Sequence, residues 1–487
     1  MTSPTSSTSS ISGLISGMDT SSVISQLMQI EAQPQSQLKV QLSTSQTDAA
    51  AYRDVNSAFA ALATAASALT SATTWASANA TSSDPTVSAT STAGATQGSL
   101  TFSVDRLATT HSVMATSAWA KTTDPYNLGS TLTITSTDGT QTFGTIKITS
   151  STTGAASLND AIAAINKSGL GLSAAAIQTS TGYALQVTAT SPGAAKAFKI
   201  KSDTDASGAD YAVGTQGVDA QISFPNPSNP STPYTSTSAT NTFSNVLNGT
   251  NITVSQKTTT PVTVNVVTDP NAIANAVQAM VTAANNALAK ISAYTDSSSG
   301  STAPLKGDYS LISLTGQVLD AVSSSVGTSL LDANGKPITS SGGSNGVQLT
   351  RDGQLTFDAA AFKTAYAANP AKVQAVFSGT TAAGADGIPN TADDTVAVDG
   401  IGARLSALAN QASDKATGIL TGLANGQDTR SKDIQSQIDA WTLRLTARQQ
   451  TLTDQFTAME TALGTLKSQS SWLTSQINSL PTISKSS

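Results

Sequence analysis

One side chain in this 487-residue sequence is a histidine, His111, and none is a cysteine. Without a thiol there is no thiolate nucleophile, no disulfide and no cysteine-held metal, and a Ser-His-Asp arrangement would have to rest on His111 alone. His111 follows a stretch that alternates as a strand does, and a lone histidine there reads as a packed or surface residue rather than a general base. The densest set of oxygen ligands is Asp386, Asn390, Asp393 and Asp394, at short intervals on one loop. Such spacing outlines a calcium site, but it lacks the EF-hand pattern and its bidentate Glu. A plain Asx-rich turn is the simpler reading. The run Ser341-Gly-Gly-Ser-Asn-Gly346 lacks the Lys-Ser/Thr of a phosphate-cradling loop and reads as a linker. Trp75, Trp119, Trp441 and Trp472 are scattered as core or interface anchors, not clustered as a ligand cage. No residue is given a catalytic role, no enzyme activity is expected, and neither is a metal or cofactor.

Charge is scarce too. Asp, Glu, Lys and Arg make up 11% of the chain and leave a net charge of −6, whereas about a quarter of an ordinary soluble chain is charged. Ser, Thr and Ala carry the solubility instead. There is no basic patch to displace counterions from nucleic acid, and nothing to attract an anionic membrane surface. No stretch approaches the roughly 18 apolar residues of a membrane span. Residues 1–10 have neither the positive nor the apolar region of a secretory signal peptide. The lack of cysteine suits a chain that crosses a membrane unfolded and works outside the cell, and a secreted location would need another export route that reads this Ser/Thr-rich leader.

With covalent chemistry set aside, function falls to surfaces, and two apolar stripes are the strongest surface signal. Ile434, Ile438, Trp441, Leu445, Leu452, Phe456, Met459, Leu463, Leu466, Leu473, Ile477 and Leu480 fall at steps of four and three, with Arg448 and Ser470 at the polar positions. The successive fours through Arg448, Leu452 and Phe456 make one stutter. Near the other end Leu38, Leu42, Ser45, Ala49, Tyr52, Val55, Phe59, Leu62, Ala66 and Leu69 form a matching stripe. Stripes this long and narrow bury one seam against partner helices. Seams inside the chain's own bundle are the first reading; mating of part of the stripe with neighbouring subunits is the second, and one long helix can do both.

These stripes need helices at both ends and something different between them. Asp19, Thr20 or Ser21 caps a short helix carrying Val23, Ile24, Leu27, Met28 and Ile30, and Pro34 starts a second that runs to about residue 72. From Trp75 to about Val267 the pattern is mostly strand and turn. Residues 86–90, 99–105, 131–135, 145–149, 183–188, 197–200, 251–254 and 261–267 read as strands, residues 158–167 as a short amphipathic helix, and residues 224–236 as a Pro- and Ser-rich loop or exposed edge. Asp269 or Asn271 caps a third long helix, and residues 311–326 form a fourth. Residues 347–357 form a hairpin turning at Asp352-Gly353, residues 359–367 and 371–377 are short helices around Pro370, and residues 379–399 are a loop. Residues 401 to about 425 are helical, and the C-terminal stripe follows.

Several segments together resemble one family, the flagellar filament cap proteins, also called hook-associated protein 2. Ser12-Gly-Leu-Ile-Ser-Gly-Met-Asp19, Ile24-Ser-Gln-Leu-Met28 and Glu31-Ala-Gln-Pro34 are similar to its opening, and Gly98-Ser-Leu-Thr-Phe-Ser-Val-Asp-Arg-Leu-Ala108 to its first β segment. Ser157-Leu-Asn-Asp-Ala-Ile-Ala-Ala-Ile-Asn166, followed by Leu185-Gln-Val-Thr188, resembles a module shared by cap proteins and flagellins. Asp352-Gly-Gln-Leu-Thr-Phe-Asp358 with Asn369-Pro-Ala-Lys-Val373 and Val376-Phe377 looks like the tail-side domain, and Gln455-Phe-Thr-Ala-Met-Glu460 with Ser470-Ser-Trp-Leu473 like the C-terminal helix. The order and spacing agree over nearly the whole chain; the long leader and the loop at 379–399 depart from the pattern.

The resemblance implies an α+β multidomain fold, in which terminal helices pair as a coiled-coil leg and β-rich head domains are inserted between them. The expected division is a disordered leader at 1–20 and N-terminal helices at 21–74. An inner head spans 75–125 and 215–268, with an outer head, 126–214, inserted in it. A helical domain with a hairpin follows at 269–427, then a coiled-coil helix at 428–480 and a tail at 481–487. It also implies a homo-oligomeric ring at the distal tip of the bacterial flagellum, with flagellin folding beneath it. Hook-filament junction proteins and an export chaperone would be further partners, with motility as the outcome. Two other readings stay open: a filament or hook-filament junction subunit, whose ends would match flagellin's, and a surface adhesin whose β head binds host glycans.

Overall fold

A computed structural model describes residues 17–151, 153–331, 337–382 and 395–479. Most of the leader, the oxygen-rich loop carrying Asp386, Asn390, Asp393 and Asp394, and Leu480 therefore lie outside the described residues. The architecture is α+β, with long helices at both ends and β-sheets between.

The chain opens with α1 (Thr20–Glu31) and α2 (Gln33–Ala68), followed by the single turn α3 (Ala72–Trp75). The strand-rich middle runs β1 (Ala78–Ser82), β2 (Val87–Ser91), β3 (Gly98–Arg106), β4 (Ser112–Trp119), β5 (Thr131–Ser136), β6 (Thr142–Lys147), α4 (Leu158–Lys167), β7 (Leu172–Thr179), β8 (Gly182–Ala189), β9 (Phe198–Ser202), β10 (Tyr211–Thr215), β11 (Ala220–Phe224), β12 (Tyr234–Ser238), β13 (Thr242–Leu247), β14 (Thr250–Val254) and β15 (Val262–Thr268). Then come α5 (Pro270–Thr295), α6 (Tyr309–Ser323), β16 (Val326–Leu331), β17 (Pro337–Ser340), β18 (Val347–Leu349), β19 (Leu355–Phe357), α7 (Ala359–Ala368), α8 (Pro370–Ser378), β20 (Thr380–Ala382), β21 (Thr395–Val398), α9 (Ile401–Ser413) and α10 (Ile419–Asn478). Two compact units result, one made of Met1–Thr70 with Ala276–Ser487 and the other of Ser71–Asn275.

Helix starts in the helical unit follow side-chain caps. Asp19 accepts the Ser22 amide at 3.0 Å, Asp308 the Leu311 amide at 3.0 Å, and Asn369, just before Pro370, the Lys372 amide at 3.0 Å. Each satisfies an amide that the first helical turn leaves orphaned. The helix expected over 401–425 is instead two, because Asp414 accepts the amides of Ala416 and Thr417 at 2.9 and 2.7 Å. This local bonding competes with helix continuation, and α10 restarts after Gly418 as one 60-residue helix. The boundary expected at 427/428 therefore falls inside a continuous helix. The fourth helix stops at Ser323, and Val326, expected at its end, starts β16. Strands β20 and β21 pair across the two sides of the expected loop.

The second unit holds two cores. In the inner one, a five-stranded sheet ordered β1-β15-β3-β11-β12 and a three-stranded sheet β13-β14-β2 enclose Phe102, Val104, Ile222, Phe243, Ile252, Val262, Val264 and Val266, with Val87 and Val254. In the outer one, a four-stranded sheet β10-β4-β8-β7 and a three-stranded sheet β6-β5-β9 enclose Leu132, Ile134, Leu185, Val187, Phe198 and Ile200 with Leu158 and Ile165 of α4. A capping box starts α4: the Ser157 hydroxyl accepts the Asp160 amide at 3.2 Å and the Asp160 carboxylate accepts the Ser157 amide at 2.8 Å. Ser151, and after it the amide and hydroxyl of Ser157, hold the Asp160 carboxyl down at about 2. Strand β4 pairs with β8 and β10, so the outer head begins after β3 and not at residue 126 as expected. The register of β4 on β8 shifts between Met114 and Ala118, and that bulge erases the period-two pattern that would have marked the strand.

Candidate functional site

The terminal helices form one antiparallel pairing. Glu31 accepts from Nε of Arg448 at 2.9 Å; Gln35 donates through Nε2 to the Ile438 carbonyl at 3.3 Å and the Thr442 hydroxyl at 2.7 Å. The Ser45 hydroxyl meets the Gln427 carbonyl at 3.0 Å, and Arg53 pairs with Asp428. From Glu31 through Gln35 to Ser45 the partners on α10 fall from Arg448 to Gln427, and Arg53 reaches back to Asp428 beside the last of them. Further out, Thr20, Ile24 and Met28 of α1 face Gln449, Phe456 and Glu460 of α10 across a groove of about 350 Å³. The ion pairs are half-exposed, so each contributes at most about 1 kcal/mol and they serve mainly to set register.

The N-terminal stripe is a seam inside the chain. Tyr52, Phe59, Leu62 and Leu69 are buried, with Leu38 and Leu42 half-buried. Burial and the neighbouring Asp308 carboxylate, which accepts from its hydroxyl, push the Tyr52 phenol up. The C-terminal stripe divides. Ile434, Ile438 and Leu452 are buried, and Trp441, Leu445, Phe456 and Met459 half-buried. Beyond them Leu463 is 36% exposed, Leu466 60%, Leu473 53% and Ile477 60%. The described helix continues for 18 residues past Glu460, about 27 Å at 1.5 Å per residue, and every large apolar side chain of that stretch faces solvent.

Polar residues that sequence reasoning missed tie the seam to the rest of its unit. Asp54 accepts from Nζ of Lys290 at 2.6 Å and from the Tyr294 hydroxyl at 2.7 Å; these bonds hold its carboxyl below the usual range and raise the ammonium. The only sequence signal for such contacts was Ser45, a polar residue within an apolar stripe.

Among the described residues, the side chains singled out for chemistry lie apart from one another. His111 is fully buried at the meeting of the two heads. Trp75 and Trp119 are buried, and Trp119 stacks on Tyr126 and donates through Nε1 to the Pro125 carbonyl at 3.1 Å. The guanidinium of Arg444 lies 4.5 Å from the Trp441 ring centre, and Trp472 is 62% exposed. Among the described residues no group of three or more His, Asp or Glu side chains is placed to hold a metal, and no helix is long and apolar enough to cross a membrane.

Comparison with known proteins places this geometry. The D1-D2-D3 domains of the flagellar cap protein FliD from Escherichia coli align with a TM-score of 0.57 at 22% identity, covering 78% of this chain and 99% of that one. At that identity the likeness is one of fold. The FliD (HAP2) structure from Pseudomonas aeruginosa PAO1 aligns at 23% identity over 42% of this chain and 93% of that one, with a TM-score of 0.33. No curated protein matches the chain. The family model for the flagellar hook-associated protein 2 N-terminus matches residues 16–111. The model for its C-terminus matches residues 217–468, more than half of the sequence. On that match, over an α+β fold with paired terminal helices, the chain belongs to the flagellar hook-associated protein 2 family.

Proposed function

We propose that this chain is a subunit of the cap at the distal end of the bacterial flagellar filament. Identical copies form a ring there, and exported flagellin folds beneath it and enters the lattice. The observation that carries this reading is the outer stretch of α10. Leu466, Trp472, Leu473 and Ile477 stay exposed on a helix whose stripe is buried or half-buried up to Met459, and fully burying one such side chain is worth about 1.5–3 kcal/mol. Continuity with the inner seam argues for neighbouring copies or flagellin as what covers it. A closed ring uses heterologous contacts that return on themselves. With only 11% charged residues, few desolvated ion pairs have to break as such a ring steps along a growing filament. The work is steric and conformational, and no residue acts as a catalyst. Flagellin, the hook-filament junction proteins and an export chaperone are the partners of this reading, with export addressed by the leader.

A chromosomal deletion tests it. Cells lacking the protein should keep their hooks, bear short filaments or none, and release flagellin monomers into the medium. Filaments of normal length in the deletion strain would overturn the cap reading.

A further inference from the structure

We propose that His111 is a proton-operated latch on the junction between the inner and outer heads. Two strands of chain cross that junction, residues 107–111 outward and 216–219 on the return. They meet in a single antiparallel bridge, Thr109 to Val218. The Thr109 amide donates to the Val218 carbonyl at 3.0 Å, and the Thr109 hydroxyl to the Gln216 carbonyl at 2.6 Å. Beside this bridge the Gly217 amide donates to Nδ1 of His111 at 3.2 Å. The acceptor role of Nδ1 places the neutral ring's proton on Nε2. That atom is buried and makes no hydrogen bond of standard geometry. The ring stands edge-on to Phe198, with centres 5.0 Å apart. The outer-head loop closes over the same place: the Gly193 amide donates to the Thr109 carbonyl at 3.1 Å and the Ala194 amide to the Asp219 carboxylate at 2.7 Å. A Cβ on Gly217 would stand 3.0 Å from both the Gly193 carbonyl and the His111 Cβ, so the two crossing segments and the outer-head loop are closely packed at this point.

Protonation turns Nδ1 from acceptor to donor. It then faces the Gly217 N–H donor to donor, and a full charge lies in a buried pocket where the Phe198 backbone supports it only in part. No carboxylate offsets that charge. Charged residues on the surrounding segments are Arg106, which donates to the Asp219 carbonyl; Asp105, which accepts from Ser223; Asp219 itself, held by Ala194; and Lys196 and Lys199, which are exposed. Burial pushes the imidazole below its ordinary value, and the Phe198 backbone opposes this only in part. The sign follows: an open junction binds the proton more readily than a closed one. The closed form keeps its full stability above the free imidazole value of about 6.5 and loses it as pH falls below that toward the depressed value. Each head retains its own core, so the weak point is the two-strand junction.

The test uses the full chain. Amide exchange at Gly217 and Val218 is followed from pH 7.5 to 4.5 in the wild type and in His111→Gln, whose side-chain oxygen can accept from Gly217 without titrating. The wild type should lose protection by about tenfold per pH unit below about 6, while amides of β5 and β8 stay protected and the variant stays flat. Equal losses in both proteins, or none in either, would overturn the latch. A second measurement covers the case of a variant that does not fold. Carbon-13 labelling of histidine gives one ring signal in this chain, and its titration midpoint should lie below the ordinary histidine value, at the pH where the loss of Gly217 protection levels off. A midpoint at the ordinary histidine value with protection intact refutes the proposal.

Discussion

Asn166 shows how much a single side chain settles. It lies in the last turn of α4, and nothing in the spacing of its neighbours hinted at what it does. Its Oδ1 accepts the Ala174 amide at 2.7 Å, and its Nδ2 donates to the Ala174 carbonyl at 3.1 Å. Ala174 lies in β7, the edge of the four-stranded sheet, so the amide acts as a stand-in for the missing neighbour strand. That matters because β7 is an edge strand with no guarding residue of its own. It carries no charge and no proline, and it pairs with β8 in unbroken register from Leu172–Ala189 to Thr179–Gly182. Open edges of this kind recruit other chains. Replacing Asn166 with Ala removes both bonds and should destabilise the outer head by about 1–3 kcal/mol. The substituted protein should also self-associate with rising concentration. Calorimetry and sedimentation read the two effects separately, and an unchanged melting transition would show that the clamp holds nothing.

At the scale of elements, the period of a pattern decided what could be read. The terminal helices were legible because step-four, step-three spacing survives over many turns, and β3, β8 and β15 because they alternate cleanly. Strand β4 was hidden by its bulge, and β7 by three consecutive alanines, Ala174 to Ala176, which carry no period at all. What spacing could not reveal is the division of the C-terminal stripe into a sealed half and an open half, since both halves step identically. Reach decides it: Asp19 caps α1, whose first residue Thr20 lies opposite Glu460, and no described helix extends beyond. The same substitution should therefore act oppositely in the two halves. Ile438→Asp puts an unpaired carboxylate into a buried seam and should cost several kcal/mol, on the order of 3–5, in the helical unit of the isolated chain. The double change Leu463→Asp, Leu466→Asp touches exposed sites and should alter the monomer's stability by no more than about 0.5 kcal/mol each, yet abolish ring assembly and swimming. Calorimetry paired with analytical ultracentrifugation distinguishes them. A double variant that assembles normally would show that this stretch is not an interface; one that unfolds would show that the chain covers it itself.

For the whole molecule, the decisive fact is how the chain enters and leaves the head-bearing unit. Strands β1 and β15 pair antiparallel from Ala78–Thr268 to Ser82–Val264, and just outside them the Asp269 amide donates to the Ser77 carbonyl at 2.9 Å. Entry and exit thus lie side by side, fixed by the unit's own hydrogen bonds. Both of its cores, around Phe102 and Ile222 and around Leu132 and Phe198, are supplied from within residues 71–275. An inserted domain with adjoining ends and a complete core has what it needs to fold alone. A fragment comprising residues 71–275 should therefore fold cooperatively and melt within a few degrees of the head transition seen in the full chain. The full chain should show a further transition from the helical unit, which Ile438→Asp lowers and which the fragment lacks. Circular dichroism of the fragment gives the first readout, and calorimetry of the intact protein the second. A fragment that stays unfolded, or a full chain that melts in one step moved as a whole by Ile438→Asp, would mean that the heads draw their stability from the terminal helices. The helices could then not rearrange during assembly without loosening the heads they carry.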